Sequence, residues 1–243
     1  MNEILPWVFL VLCTLIASTL SAVTGFGGAA ILLPVLVAMF GIRDAVPILT
    51  VAQLIGNGSR VWFNRKEIRY DVVGWFALGA VPAALIGGWL FAAAPAPALT
   101  RLLGVFLIAV VIFRHTSAIV KMPTMQLRWF APLGAVTGFL SALIGTVGPL
   151  VAPFFLAFGL IKGAYIGTEA LAAIVMHTTK LAAYGGGDAF STLAAFIGLL
   201  LGPILILGSL LGKRLVDRVS ERFFSLLIEG VLVVVGLIFL AGW

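Results

Sequence analysis

From Ile4 to Phe40 the chain carries no charged side chain, 37 residues in a row. That is almost twice the roughly 20 apolar residues that cross a bilayer. In hydrocarbon every backbone N–H and C=O needs a partner within its own segment, so the run is expected to be helical. Glycines interrupt it at Thr24-Gly25-Phe26-Gly27-Gly28. A second charge-free run, 129–161, is interrupted at Gly145-Thr146-Val147-Gly148-Pro149. Glycine and proline are poor in helix interiors. Each run is therefore predicted to be two shorter helical pieces joined by opened backbone.

Six further apolar segments have the length of one span, near 46–63, 71–92, 99–118, 163–184, 191–212 and 223–243. Only 24 of the 243 residues are charged, against about a quarter in a soluble domain. This excludes a soluble enzyme, a disordered chain and a nucleic-acid binder. The net charge of +6 is expected in loops beside a membrane. The single cysteine, Cys13, rules out a disulfide framework or a cysteine metal cluster. Met1-Asn2-Glu3 has no basic n-region, so the first segment is expected to stay in the mature protein. The fold class is all-α: a polytopic membrane bundle of about eight hydrophobic segments, forming one integral membrane domain.

The chain repeats itself. At an offset of 120, Gly25 pairs with Gly145, Gly28 with Gly148, Asn57 with His177, Arg60 with Lys180 and Asn64 with Tyr184. Pro82–Pro203 and Arg101–Arg222 need an offset of 121, and Gly41–Gly159 one of 118. An ordered series of this kind points to duplication, with repeats at about 4–118 and 129–243. Charge sidedness bears on their orientation. If all eight segments crossed once, the loop basic residues would divide seven against seven. If each long run folds back to its starting side, Arg43 and Arg101 stand alone against twelve. Basic residues collect on the cytoplasmic side, so the second arrangement is preferred. It leaves three crossings per repeat, which inverts the second repeat and puts both termini outside the cytoplasm.

Some residues are out of place in lipid. An ionisable group at mid-membrane costs about 2.5–3.5 kcal/mol on insertion scales. Segment 163–184 nevertheless carries Glu169, His177, Lys180 and Tyr184, all within about 80° of each other at 100° per residue. Thr50, Gln53, Asn57, Arg60 and Asn64 form a similar stripe on 46–64. The two stripes belong to matched segments, and both are expected to face one central pathway. Plainer readings stand beside this one. Arg60, Asn64 and Lys180 lie near span ends and can snorkel to headgroups. Glu169 can pair with a buried base, and His177 can be a packing residue. Gln53 and Asn57 can join helices by hydrogen bonds. Glu229 reads as structural, and His115 as a loop residue.

The glycine breaks can likewise be close-packing sites. Read functionally, each exposes free backbone N–H groups and the positive end of a helix dipole. Two such breaks facing each other near the midplane would make an anion site, built from Thr24, Gly25, Gly27, Gly28, Gly145, Thr146 and Gly148. Asn57, His177 and Lys180 join them as substrate-binding candidates. Gln53, Arg60 and Glu169 are pathway or coupling candidates. No Walker loop, dinucleotide fingerprint, zinc triad or nucleophile–base pair is present, so no enzyme and no cofactor are expected.

The sequence resembles the sulfite exporter TauE/SafE family of integral membrane transporters. The resemblance is carried by Thr24-Gly25-Phe26-Gly27-Gly28 with Leu33-Pro34-Val35-Leu36. Gly145-Thr146-Val147-Gly148-Pro149 with Ala152-Pro153-Phe154 echoes it. It covers almost the whole chain. The family usually has three glycines in a row where this chain has Gly27-Gly28-Ala29, and the second copy has only Gly148 before Pro149. The second break is therefore expected to bind differently. The resemblance implies transport of sulfite, an organosulfonate or another sulfur oxyanion. With no ATPase motor, the expectation is a secondary transporter that exports a small anion across the inner cell membrane. Its partners would be that anion, the lipid bilayer and no nucleic acid; a homo-oligomer is compatible with the sequence. A passive anion channel and a membrane-embedded partner protein without transport are the alternatives.

Overall fold

A computed structural model describes residues 4–24, 28–119, 124–187, 189–215 and 221–242. Among them all regular structure is helical, with no strand. The helices are α1 (Ile4–Thr24), α2 (Gly28–Asn64), α3 (Tyr70–Ala93), α4 (Ala96–Ile119), α5 (Phe130–Ile144), α6 (Gly148–Ala157), α7 (Lys162–Gly186), α8 (Thr192–Leu215) and α9 (Glu221–Ala241). A short 3₁₀ turn, Leu127–Trp129, leads into α5.

Six helical stretches are long and apolar enough to cross a membrane: Ile4–Ala22, Gly28–Asn64, Tyr70–Ala93, Ala96–Phe113, Leu127–Ile144 and Thr192–Arg214. The 25-residue α7 is not among them, although it is about 37 Å long at 1.5 Å per residue. It packs on α2 and α3 and buries its polar face there, so it has less need of an apolar surface.

Both long apolar runs fold back. The Trp7 ring lies 5.9 Å from Phe40, which brings the start of α1 beside the far end of the first run. In the second run the Met125 N–H donates to the Ala157 carbonyl at 3.4 Å. As expected, a new helix begins beyond the first run. The backbone leaves the helical region at Gly41 (φ 72°, ψ 162°), so α2 is two helical pieces, 28–40 and 42–64, meeting at a kink. In the second run Gly159 (φ 93°) makes the corresponding bend, between α6 and α7. Left-handed φ suits glycine because it has no Cβ to clash. One difference from expectation is that α1, with 21 residues, is long enough to span on its own and is not a short piece.

One end of the molecule gathers the Gly41 kink, the α3–α4 corner and the α7–α8 corner. There Arg43 donates from Nη1 to the Ala92 carbonyl at 2.9 Å and from Nη2 to the Ala94 carbonyl. Ser191 Oγ donates to Asp44 at 3.0 Å. The opposite end gathers the end of α2, the start of α3 and the α6–α7 corner. There Arg69 lies over the Phe158 ring and Lys213 over the Phe63 ring.

Packing pairs α1 with α8, α3 with α5, α2 with both α8 and α7, α3 with α7, and α4 with α9. Lipid offers apolar side chains no reason to associate, so such contacts depend on close van der Waals fit. The α3–α5 contact is glycine-lined. A Cβ on Gly79 would strike the Ala131 carbonyl, and one on Gly134 the Phe76 carbonyl. The α1–α8 contact works alike, with Gly208 against Ser18 and Gly212 against the Thr19 carbonyl. Phe76, Phe130 and Phe155 form an edge-on cluster that fastens α6 to α3 and α5, the closest ring pair being Phe130–Phe155 at 4.9 Å.

On the outer side α4 carries His115 in its last turns, so this residue is helical and not in a loop. Its Nε2 is 3.1 Å from Glu229 Oε2 on α9.

Candidate functional site

The kinked α2 and the buried α7 cross the bundle side by side. Both polar stripes face inward, because only there can polar groups find partners. Where the two helices meet the break between α5 and α6, a cleft opens of about 550 Å³, counting the part open to the outside. Gln53, Asn57 and Arg60 line it from α2. Glu169, Ala173, Met176 and His177 line it from α7, and Gly145, Thr146, Val147 and Gly148 from the break. Phe76 and Phe155 make an apolar wall.

Arg60, 7% exposed, donates from Nη2 to Asn57 Oδ1, and its Nη1 lies 3.8 Å from Glu169 Oε2. That separation is ion pairing and not a hydrogen bond. Glu169 Oε2, His177 Nδ1 and Thr146 Oγ1 have no hydrogen-bond partner. The three residues are 9%, 6% and 3% exposed. A buried polar atom left unpaired costs about 1–3 kcal/mol. All three converge on one cleft, where the protein itself supplies them no partner.

The break supplies a further element. Gly145 has φ 90°, which turns the chain out of α5, and α6 restarts at Gly148 with Pro149 in its first turn. Pro149 has no N–H, and the Leu150 and Val151 N–H groups both donate to the Val147 carbonyl, at 2.9 and 3.1 Å. In the first turn of α6 it is therefore Gly148 that brings a backbone N–H to the cleft. Lys180 sits on the other side of the same break. Its ammonium is fully buried and donates to Ser141 O at 3.2 Å, Ser141 Oγ at 3.0 Å and Gly145 O at 3.1 Å. Those carbonyls belong to the end of α5, where cations are favoured. Lys180 therefore borders the break without lining the cleft.

A smaller recess, about 240 Å³, adjoins on the α1 and α8 side and shares Ser21, Gln53 and Arg60 with the cleft. Gly28 lines this recess with Ser18 and Ser209. Gly25 and Gly27 lie outside the described residues, as does the side chain of Thr24.

Of the two stripes, the structure brings together Gln53, Asn57, Arg60, Glu169 and His177. It leaves Thr50, Asn64 and Tyr184 out of the cleft. Their side chains donate to the carbonyls of Val46, Arg60 and Ala142. Sequence reasoning missed Ser21 and Ser141, both lining residues. They stand 120 residues apart, so the repeat offset held the signal. Phe76 and Phe155 offered none, since any buried phenylalanine reads the same in sequence.

The model of the family described as "Sulfite exporter TauE/SafE" matches residues 10–239. The chain belongs to that family. A relative from Bacillus subtilis (strain 168), the "Probable membrane transporter protein YjnA", is 27% identical over 258 residues. The match covers 95% of this chain and 98% of the relative. No solved structure matches. This TauE/SafE protein is thus a membrane transporter with several apolar helices, and its cleft lies between helices of the bundle, where transporter substrate sites are built.

Proposed function

We propose that this protein is a secondary transporter for a small anion, sulfite, an organosulfonate or another sulfur oxyanion, working in the export direction across the inner cell membrane. The observation that carries the proposal is the cleft at the α5–α6 break. It combines one arginine, unpaired buried polar atoms and a helix start in a single water-sized to solute-sized space. The anion sits against Arg60, Thr146 and the Gly148 N–H, with Asn57, Gln53 and His177 around it. Gly28, on the α1 side, lines the adjoining recess that makes the matching half of the site. Lys180 holds the α5 carbonyls back from the anion and adds positive charge behind Gly145. Glu169 or His177 carries the coupling proton.

The same reading takes residues 1–243 as one domain of two inverted repeats, about 4–118 and 129–243, each a re-entrant hairpin and three crossings. In its favour, the main helix pairings map onto one another when the halves are exchanged. Swapping α1 for α5, α2 for α7, α3 for α8 and α4 for α9 turns α1–α8 into α5–α3 and α2–α8 into α7–α3, and maps α2–α7 and α4–α9 onto themselves. The basic residues Arg65, Lys66, Arg69, Lys162 and Lys213 share the end opposite Arg43, which makes their end cytoplasmic. Rocking of one repeat against the other then opens the cleft alternately to each side.

The test is efflux of sulfite from proteoliposomes. Saturable flux is expected, with a large loss in both Lys180→Ala and Gly28→Leu. If neither substitution changed the flux, the site would lie elsewhere. Cysteine labelling checks the topology: positions 2 and 242 should react only from outside the cytoplasm.

A further inference from the structure

The ion pair between Arg60 and Glu169 is unusual in being incomplete. The two helices carrying it are packed together along their length, yet Nη1 and Oε2 stand 3.8 Å apart. The carboxylate oxygen that faces the arginine has no hydrogen bond. The arginine is oriented from its own helix by Asn57, one turn away. A pair evolved only to neutralise two buried charges is stable when its geometry is close and its remaining lone pairs are bonded. This one is held apart, at the wall of a cleft where His177 Nδ1 and Thr146 Oγ1 also have no hydrogen-bond partner.

We infer that Glu169 is the occupant of the anion's place when the cleft is empty, and that the anion displaces it from Arg60 as Glu169 takes a proton. The step balances. The empty site holds one guanidinium and one carboxylate. One monovalent anion and one proton enter, and the result is one guanidinium–anion pair and one neutral carboxylic acid. The site is uncharged before and after. Anion and proton therefore bind together and cross together, and the protein is a proton–anion symporter; it exports when the outward anion gradient exceeds the inward proton gradient, and an imposed inward proton gradient runs it in reverse. The inference rests on the proposed transport function and chooses Glu169 over His177 as the proton carrier.

The surrounding groups fit. The titratable or charged residues lining the cleft, among the described residues, are Arg60 from α2 and Glu169 and His177 from α7; α3, α5 and α6 contribute only Phe76, Ser141, Thr146 and uncharged neighbours. Lys180, on the same helix as Glu169, is committed to Ser141 and Gly145. An anion arriving at Arg60 beside an ionised Glu169 would place two negative charges against one guanidinium in a low-dielectric site. Taking up a proton removes that conflict. His177 lies 8 residues from Glu169 on α7, about 12 Å along the axis, and is not seated between Glu169 and Arg60.

Two measurements decide the matter at about pH 6, with hydrogensulfite, methanesulfonate and ethanesulfonate, all monoanions, as probes. In the first, purified wild-type protein in weak buffer is mixed with each probe, and a pH dye records proton uptake. About one proton per bound anion is expected, beyond the probe's own titration. Glu169→Gln should take up none, and in His177→Gln the ratio of protons to bound anions should stay near one even where binding is weaker. In the second, proteoliposomes receive an inward proton gradient and radiosulfur-labelled probe. Wild type should accumulate the anion. E169Q should lose about tenfold or more of that accumulation while still exchanging internal for external anion, at a rate that no longer varies with pH. Glu169→Asp, which keeps a titratable group, should restore coupling.

Absence of proton uptake by wild type, or uptake that persists in E169Q, overturns the inference without touching the transport reading. So does accumulation by E169Q equal to that of wild type. Absence of any saturable flux by wild type, for all three probes, overturns both.

Discussion

Arg60 and Lys180 occupy matching places on two polar-striped helices, and their surroundings are opposite. Arg60 opens on the cleft with a carboxylate at 3.8 Å that does not bond it. Lys180 is wholly buried, and each of its three protons has an acceptor at 3.0–3.2 Å. A lysine ammonium has only three donors, so none remains for a ligand. The comparison separates two settings of a buried cation in one architecture: one lining a cleft beside a carboxylate, the other closing the carbonyl end of a broken helix.

The sharpest way to break the comparison is to remove Lys180. Lys180→Met leaves Ser141 and Gly145 carbonyls unsatisfied in the core. A loss of about 3 kcal/mol is expected, seen as a thermal midpoint several degrees lower in detergent. Unchanged stability would mean that Lys180 is not the cap described here. Arg60→Gln should act the other way round, with flux reduced by about a hundredfold. Its midpoint should fall less than that of K180M, since Glu169 can take up a proton when its cation is gone. Efflux rates and melting curves of the two variants, side by side, test this directly.

Smaller effects refine the picture. Thr146→Val removes a buried hydroxyl that has no partner, so stability should hold or rise slightly. If the anion uses that hydroxyl, the KM should nevertheless rise about tenfold. An unchanged KM would take Thr146 out of the site. Asn57→Ala frees Arg60 from its orienting contact and should weaken transport about fivefold, corresponding to about 1 kcal/mol.

The helical architecture and the inward stripes were legible because hydrophobic length and helical period are written directly in the residues. Axial position was not. Glu169 and Lys180 differ by only about 20° in projection, but eleven residues put them about 16 Å apart along α7. That is enough to place one in the cleft and the other behind the break, and an angular projection discards this coordinate. The division of α2 was legible too: Gly41 interrupts the helical backbone (φ 72°, ψ 162°), where glycine and the charged pair Arg43-Asp44 mark the end of the apolar run. His115 was misread because hydropathy falls before the helix does: α4 continues through Ile119. The apolar wall of Phe76 and Phe155 had no sequence signature, since its role depends on what lies opposite.

Arg43 ties the bend in α2 to the end of α3 by gripping the carbonyls of Ala92 and Ala94. A grip on two backbone atoms fixes both distance and twist. The elbow at Gly41 and the α3–α4 corner are thereby joined, so a tilt of either half of α2 about that elbow carries the end of α3 with it.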